Sequence, residues 1–182
     1  GNADLTEVLR KLGGGIQLST WVVGVPKGSG LGTSSILSAA CGKALFEFMG
    51  RKIDDASLYS LVLCMEQLMS TGGGWQDQVG GLTSGIKLIR TKPGLCQDIE
   101  VQPLKIPAET IAELQERFVL IYSGQRRLAR NLLKDVVGGY IGGRSESIEA
   151  LHEMKRLAVL MQFELEQGNV DAFAELLDRQ DR

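Results

Sequence analysis

Several things are scarce in this sequence, and each scarcity closes a route. Histidine occurs once, as His152. A single imidazole excludes multi-histidine metal centres, and its place inside a helical pattern marks a helix-surface residue rather than the base of a Ser-His-Asp triad. Cysteine occurs three times, at positions 41, 64 and 96. That number is odd and the spacing has no metal-ligand rhythm, so the thiols read as reduced, partly core, and cytoplasmic. No apolar run approaches the length of a membrane span. The first residues, Gly1-Asn2-Ala3-Asp4, show neither a basic nor an apolar leader and no initiator Met. No signal peptide is visible, and the chain reads as processed or as an excerpt. A formal net charge of −2 leaves no basic footprint for nucleic acid. With 43% hydrophobic and 23% charged residues in 182, the composition is that of a globular chain with one good core, or a domain and a half.

The most informative stretch that is present runs Gly28-Ser29-Gly30-Leu31-Gly32-Thr33-Ser34-Ser35. It follows a strand-like segment over 16–25, with Ile16, Leu18, Thr20 and Val22 alternating against Trp21, Val23 and Val25, and a Pro26-Lys27 turn. It runs into the helical pattern of Leu37, Ala40, Cys41, Ala44, Leu45 and Phe48, which stops near Gly50. Glycines let the backbone approach a ligand closely, and the first N–H groups of a helix have no internal partner and favour anions. Thr33, Ser34 and Ser35 add hydroxyls, so the loop predicts a nucleotide phosphate site. A Walker loop is excluded because Gly32 is followed by Thr33 rather than Lys. A Rossmann fingerprint is excluded because Ser35 stands where the third glycine belongs. A glycine turn that merely caps a helix is the other reading of these residues.

Further along, Asp54 or Asp55 is placed to cap a helix with Leu58, Leu61, Val62, Met65 and Met69 on its apolar face. A second glycine-rich loop follows, ending in Gly72-Gly73-Gly74-Trp75-Gln76-Asp77-Gln78-Val79-Gly80-Gly81. Residues 86–90 and 99–101 read as paired strands around Pro93-Gly94, residues 109–117 as a short helix, and Phe118 to Tyr122 as a buried strand. Beyond Arg127 the chain is helical, with a break expected at Gly138-Gly139, a helix capped by Ser147 and running through Gln167, and another from Asp171. Strands early and helices late predict an α+β fold. In the second loop Asp77 is the candidate catalytic carboxylate: held in a tight turn, it can orient a hydroxyl and take its proton during phosphoryl transfer. An Asx-turn bonding its own backbone is the alternative.

Pro26, Gly30, Leu31, Gly32, Thr33 and Ser34 fit the pattern Pro-x3-Gly-Leu-Gly-(Ser/Thr)-Ser. This resembles the central phosphate-binding motif of the GHMP kinases, and Gly-Gly-x-x-Asp-Gln resembles their aspartate-bearing motif. Glu66 lies eleven residues before Asp77, about where these kinases carry a magnesium-binding glutamate. The wording of Glu66-Gln67-Leu68, Trp75-Gln76-Asp77-Gln78, Gly85-Ile86-Lys87 and Tyr122-Ser123-Gly124-Gln125-Arg126-Arg127-Leu128-Ala129 is similar to that of L-fucokinases, including the kinase domain of bifunctional fucokinase/GDP-fucose pyrophosphorylases.

The resemblance implies a GHMP fold, with a ribosomal-protein-S5-like half followed by the start of a ferredoxin-like half, truncated at both ends. It implies an ATP-binding part over 1–105 and the beginning of a C-terminal part over 106–182. It implies ATP held by residues 28–35, Mg²⁺ held by Ser34 and Glu66, and Asp77 acting on the anomeric hydroxyl of L-fucose. Gly74, Trp75, Tyr122 and Arg127 fall to the sugar or phosphates, with Trp75 placed to pack on a 6-deoxy sugar. The expected partners are small molecules, with no nucleic acid and no membrane. The alternatives are a heptose-phosphate kinase or a non-catalytic protein of the same fold that binds ATP and sugar.

Overall fold

The computed structural model describes residues 2–26, 28–69, 74–94, 98–122, 124 and 129–181, with side chains omitted at 2, 3, 129–133 and 181. It divides into two compact units. One comprises residues 1–83 with 124–127, the other residues 84–123 with 128–182. Together they form a helix-rich α+β chain with one small antiparallel sheet among the described residues.

The first unit holds four helices: α1 Asn2–Leu12, α2 Thr33–Phe48, α3 Asp55–Leu68 and α4 Gln76–Leu82. Helix α2 packs on α3, and α4 lies on both. The apolar heart is Ala39, Leu58 and Val62, with Ile53, Leu61 and Leu82 packed against it. Gly42 is buried where α2 meets α3. A Cβ there would stand 2.9 Å from Leu61 Cδ2, so the small residue sets how closely the two helices approach. Helix α3 begins as the sequence predicts, with Asp54 as its cap: the carboxylate accepts the Ser57 backbone N–H at 2.8 Å. Helix α2 ends in a left-handed glycine, Gly50 at φ +69°, with the Arg51 N–H bonding Phe46 O and the Gly50 N–H bonding Glu47 O. Arg51 also reaches back to Asp4 on α1 at 2.9 Å.

The second unit holds the hairpin β1 Lys87–Thr91 and β2 Ile99–Pro103, in the register Ile89↔Val101. Its helices are α5 Ala108–Arg117, α6 Ala129–Ile141, α7 Ser145–Glu166 and α8 Val170–Asp181. Helix α7 packs on α8 and β1, burying Leu157, Leu165, Val170 and Leu176.

The structure corrects several expectations. The segment 16–25 carries no strand, and Trp21 and Val23 are exposed. Residues 118–122 carry none either, and Ile121 is 82% exposed. Apolar β-formers make a strand only beside a ladder partner, and among the described residues neither segment has one. No break occurs at Gly138-Gly139, because α6 runs through both to Ile141. The glycines cost helix propensity, but Gly139 is buried against the Ser147 side chain, where a Cβ would collide. Ser147 is therefore a packing residue inside α7, which starts at Ser145 behind Arg144. Residues 76–82, expected as loop, form α4.

Candidate active site

The first glycine-rich loop is built by alternation. Gly28, Gly30 and Gly32 adopt φ of +77°, +78° and +63°, with Ser29 and Leu31 between them. Glycine takes the left-handed conformation without steric penalty. Such alternation turns successive N–H groups toward a common concavity that suits an anion. The loop is entered through a turn closed by the Ser29 N–H on Pro26 O at 3.2 Å. It ends at Gly32, the N-cap of α2, whose carbonyl accepts the Ile36 N–H at 3.1 Å. Gly32 offers no side-chain cap, so the first N–H groups of α2 are left for something else. The Ser29 Oγ is buried, with no hydrogen-bond partner among the described residues. Thr33 is half-buried and Ser34 is exposed, at the very start of α2.

Asp77 meets this loop directly. A Cβ placed on Gly32 would stand 3.1 Å from Asp77 Cβ, 3.2 Å from its Cγ and 3.5 Å from Oδ1. The carboxylate, in the first turn of α4 and solvent-exposed, therefore lies against the backbone that caps α2. Gly81, one turn further along α4, faces Ile36 of α2: a Cβ there would stand 2.6 Å from Ile36 Cγ1. Glycine at 81 thus lets α4 come close enough to place Asp77.

Glu66 belongs to the last turn of α3 and is 6% exposed. A buried carboxylate at a helix C-terminus is disfavoured by desolvation and by the dipole, so donors must hold it. One is the Ser35 hydroxyl, which is fully buried in the first turn of α2 and donates to Glu66 Oε1. The positive end of α2 favours the same charge. Tyr59 and Thr83 share a hydrogen bond of 2.6 Å that fastens α3 to the far end of α4.

Sequence reasoning placed Ser35 in the phosphate loop but did not foresee its bond to Glu66. It also passed over Gln78, which is fully buried with neither amide atom bonded among the described residues. An amide left so costs about 1–3 kcal/mol. The available signal was helical spacing, since Ser35 precedes Ala39, and Glu66 follows Val62, by four residues each. Trp75, half-buried, is the N-cap of α4, and Gly74 before it touches the Gln76 side chain. Tyr122 is exposed in the second unit. Arg127 lies outside the described residues, as do residues 70–73 of the second glycine loop.

An anion cradle with a carboxylate set against its helix cap, and a buried glutamate beside it, has the parts of a phosphoryl-transfer site. Residues 4–85 match the family of GHMP kinases N terminal domains, and the chain carries that domain. Its relatives narrow the picture. A bifunctional fucokinase/GDP-fucose pyrophosphorylase of Arabidopsis thaliana is 42% identical over 144 residues, which is 79% of this chain and 14% of that protein. An L-fucokinase/L-fucose-1-P guanylyltransferase of Bacteroides fragilis is 36% identical over 177 residues, 97% of this chain and 18% of that protein. A D-glycero-alpha-D-manno-heptose 7-phosphate kinase of Campylobacter jejuni is 28% identical over 156 residues, 85% of this chain and 45% of that protein. The chain thus spans less than half the length of each. No helix among the described residues is long and apolar enough to cross a membrane.

Proposed function

We propose that this chain is the nucleotide-binding centre of an ATP-dependent sugar kinase that converts L-fucose to L-fucose 1-phosphate in the cytoplasm, as a salvage step toward GDP-fucose. The observation that carries the reading is the contact of Asp77 with Gly32. A carboxylate held against the glycine loop at a helix N-terminus supports the reading of a proton acceptor beside bound phosphates, and two relatives named as fucokinases support the choice of sugar. The finer fold in this reading is the S5-like half of a GHMP kinase followed by the start of its ferredoxin-like half. Residues 1–105 serve the nucleotide, and 106–182 begin the C-terminal part.

Within the loop 28–35, the N–H groups of residues 28–34, apart from that of Ser29, which closes the turn on Pro26, hold the ATP phosphates and neutralise their charge through the α2 terminus. Asp77 orients the anomeric hydroxyl and takes its proton as that oxygen bonds to the γ-phosphorus. The bond from phosphorus to the bridging β–γ oxygen breaks, and ADP leaves. Trp75 offers an aromatic face to the apolar side of a 6-deoxy sugar, while Tyr122 and Arg127 serve substrate or phosphate. The donor set at the start of α2 is hard oxygen, a carboxylate at Glu66 with hydroxyls at Ser34 and Ser35, and it fits Mg²⁺. Ser34 and Glu66 would hold that ion, which supplies charge neutralisation on the phosphates when bound.

The test is a coupled ADP-release assay on the longest natural polypeptide containing this chain, run over a panel of sugars. L-Fucose is the expected substrate. Turnover of a heptose phosphate with none of L-fucose sinks the assignment and favours the activity of the Campylobacter relative. Asp77→Asn is expected to lower turnover by about 10²–10⁴-fold, the usual worth of a general base, with nucleotide affinity retained. Near-normal turnover in that variant removes Asp77 from the reaction.

A further inference from the structure

The apolar cluster of the first unit has a polar layer next to it. One helical turn is about 3.6 residues. Four residues before Ala39 stands Ser35, four after Val62 stands Glu66, and four before Leu82 stands Gln78. The reference residues all belong to or pack against the same cluster. Ser35 and Glu66 are hydrogen-bonded, so the layer exists at that level. All three side chains are buried, and Gln78 completely so. Gln78 directly follows Asp77, yet both its amide atoms are without a partner among the described residues. An apolar residue of similar size would fill the position at no polar cost. The amide is thus a buried group with unused bonding capacity, next in the chain to the residue that lies against Gly32.

We propose that Gln78 is a positioning residue for Glu66: in the nucleotide-loaded site its side-chain amide donates to the Glu66 carboxylate and completes, with Ser35, a hydrogen-bonded floor under the phosphate loop. Ser35 holds the carboxylate from α2 and Gln78 holds it from α4. The two helices that carry the phosphate cradle and Asp77 are then tied through a single acidic group. The inference rests on the reading of Glu66 as a group that faces the metal of a nucleotide complex.

The experiment uses the longest natural polypeptide containing the chain and reads nucleotide binding with a fluorescent ADP analogue across a Mg²⁺ titration, beside the thermal midpoint and kcat and KM. Gln78→Met keeps the length and removes the amide. The midpoint is expected to hold or rise, while the Mg²⁺ concentration for half-maximal binding rises about tenfold, in the range seen when a group supporting a metal ligand is lost. kcat falls with KM for the sugar within about twofold, since Gln78 acts through Glu66 rather than on the sugar. Ser35→Ala shifts the same Mg²⁺ requirement, and the double variant falls short of the sum because both act on one carboxylate. Gln78→Glu, which keeps the size but sets a second carboxylate against Glu66, raises the requirement further. An unchanged Mg²⁺ requirement in Gln78→Met or Gln78→Glu overturns the proposal, whatever happens to the midpoint. Wild-type protein that binds nucleotide with Mg²⁺ but leaves L-fucose untouched retires the sugar assignment alone. Wild-type binding that is indifferent to Mg²⁺ retires the role given to Glu66, and this inference with it.

Discussion

Gly32 answers to two demands at once. Its φ of +63° is the left-handed conformation, which costs an ordinary residue about 1–2 kcal/mol, and its missing side chain leaves the space that Asp77 occupies. Gly32→Ala is therefore expected to damage nucleotide binding and turnover together, with turnover falling at least tenfold further, because the new methyl displaces the carboxylate itself. Parallel nucleotide titration and steady-state kinetics check this, and equal losses in both would mean that the strained backbone alone is responsible. At this scale the sequence was informative where chemistry needs a particular residue type. A run of glycines ahead of a helix, an aspartate in a second glycine-rich loop and a glutamate in an apolar stretch were all visible. The pairing of Ser35 with Glu66 was not, because it depends on which hydroxyl of three in a row points inward, and that is decided by the rotation of α2 against α3.

At the scale of elements, the cap of α3 and the approach of α4 are the features that hold the site in place. The Ser57 backbone N–H, and then its hydroxyl, hold the Asp54 carboxyl below the usual carboxylate range. A carboxyl whose pKa is lowered by folding stabilises the folded state above its unfolded pKa. That stabilisation is lost as the pH falls through the lowered value. Asp54→Ala is thus expected to lower the thermal midpoint at neutral pH, with the gap to wild type closing at the acid end. Thermal melts across a pH series give the comparison. For α4, Gly81→Ala drives a methyl into Ile36 and should cost about 1–3 kcal/mol as overpacking. Ile36→Val, by removing the Cδ1 carbon, is expected to recover part of that loss in denaturant melts. Capping and apolar periodicity made α2, α3, α5 and the hairpin legible within a residue or two. Helix α4 was hidden because five of the ten residues from Gly72 to Gly81 are glycine and propensity argued for loop. Packing against α2 and α3 overrides that preference.

At the scale of the whole molecule, the two strand-like runs that carry no strand are the informative misses. Their composition favours β-structure, but a ladder needs a neighbour, and composition does not say where one is. Phe118, Val119, Leu120 and Ile121 stand exposed in sequence, a patch of the kind that drives association. The 182-residue chain by itself is expected to bind a hydrophobic dye and to self-associate. Val119→Lys with Ile121→Lys should lower both by about half or more, a reduction that dye titration and light scattering would register. The first unit has a different character. Its apolar cluster lies between two polar links, Ser35 to Glu66 at one level and Tyr59 to Thr83 at the end of α4. Helices joined by grease alone can slip along one another by a turn; here one hydroxyl bond registers α2 on α3 and the other registers α3 on the end of α4. A tug on the first turn of α2 would accordingly be felt through α3 by α4, so the glycine loop and the Asp77 carboxylate share a common datum.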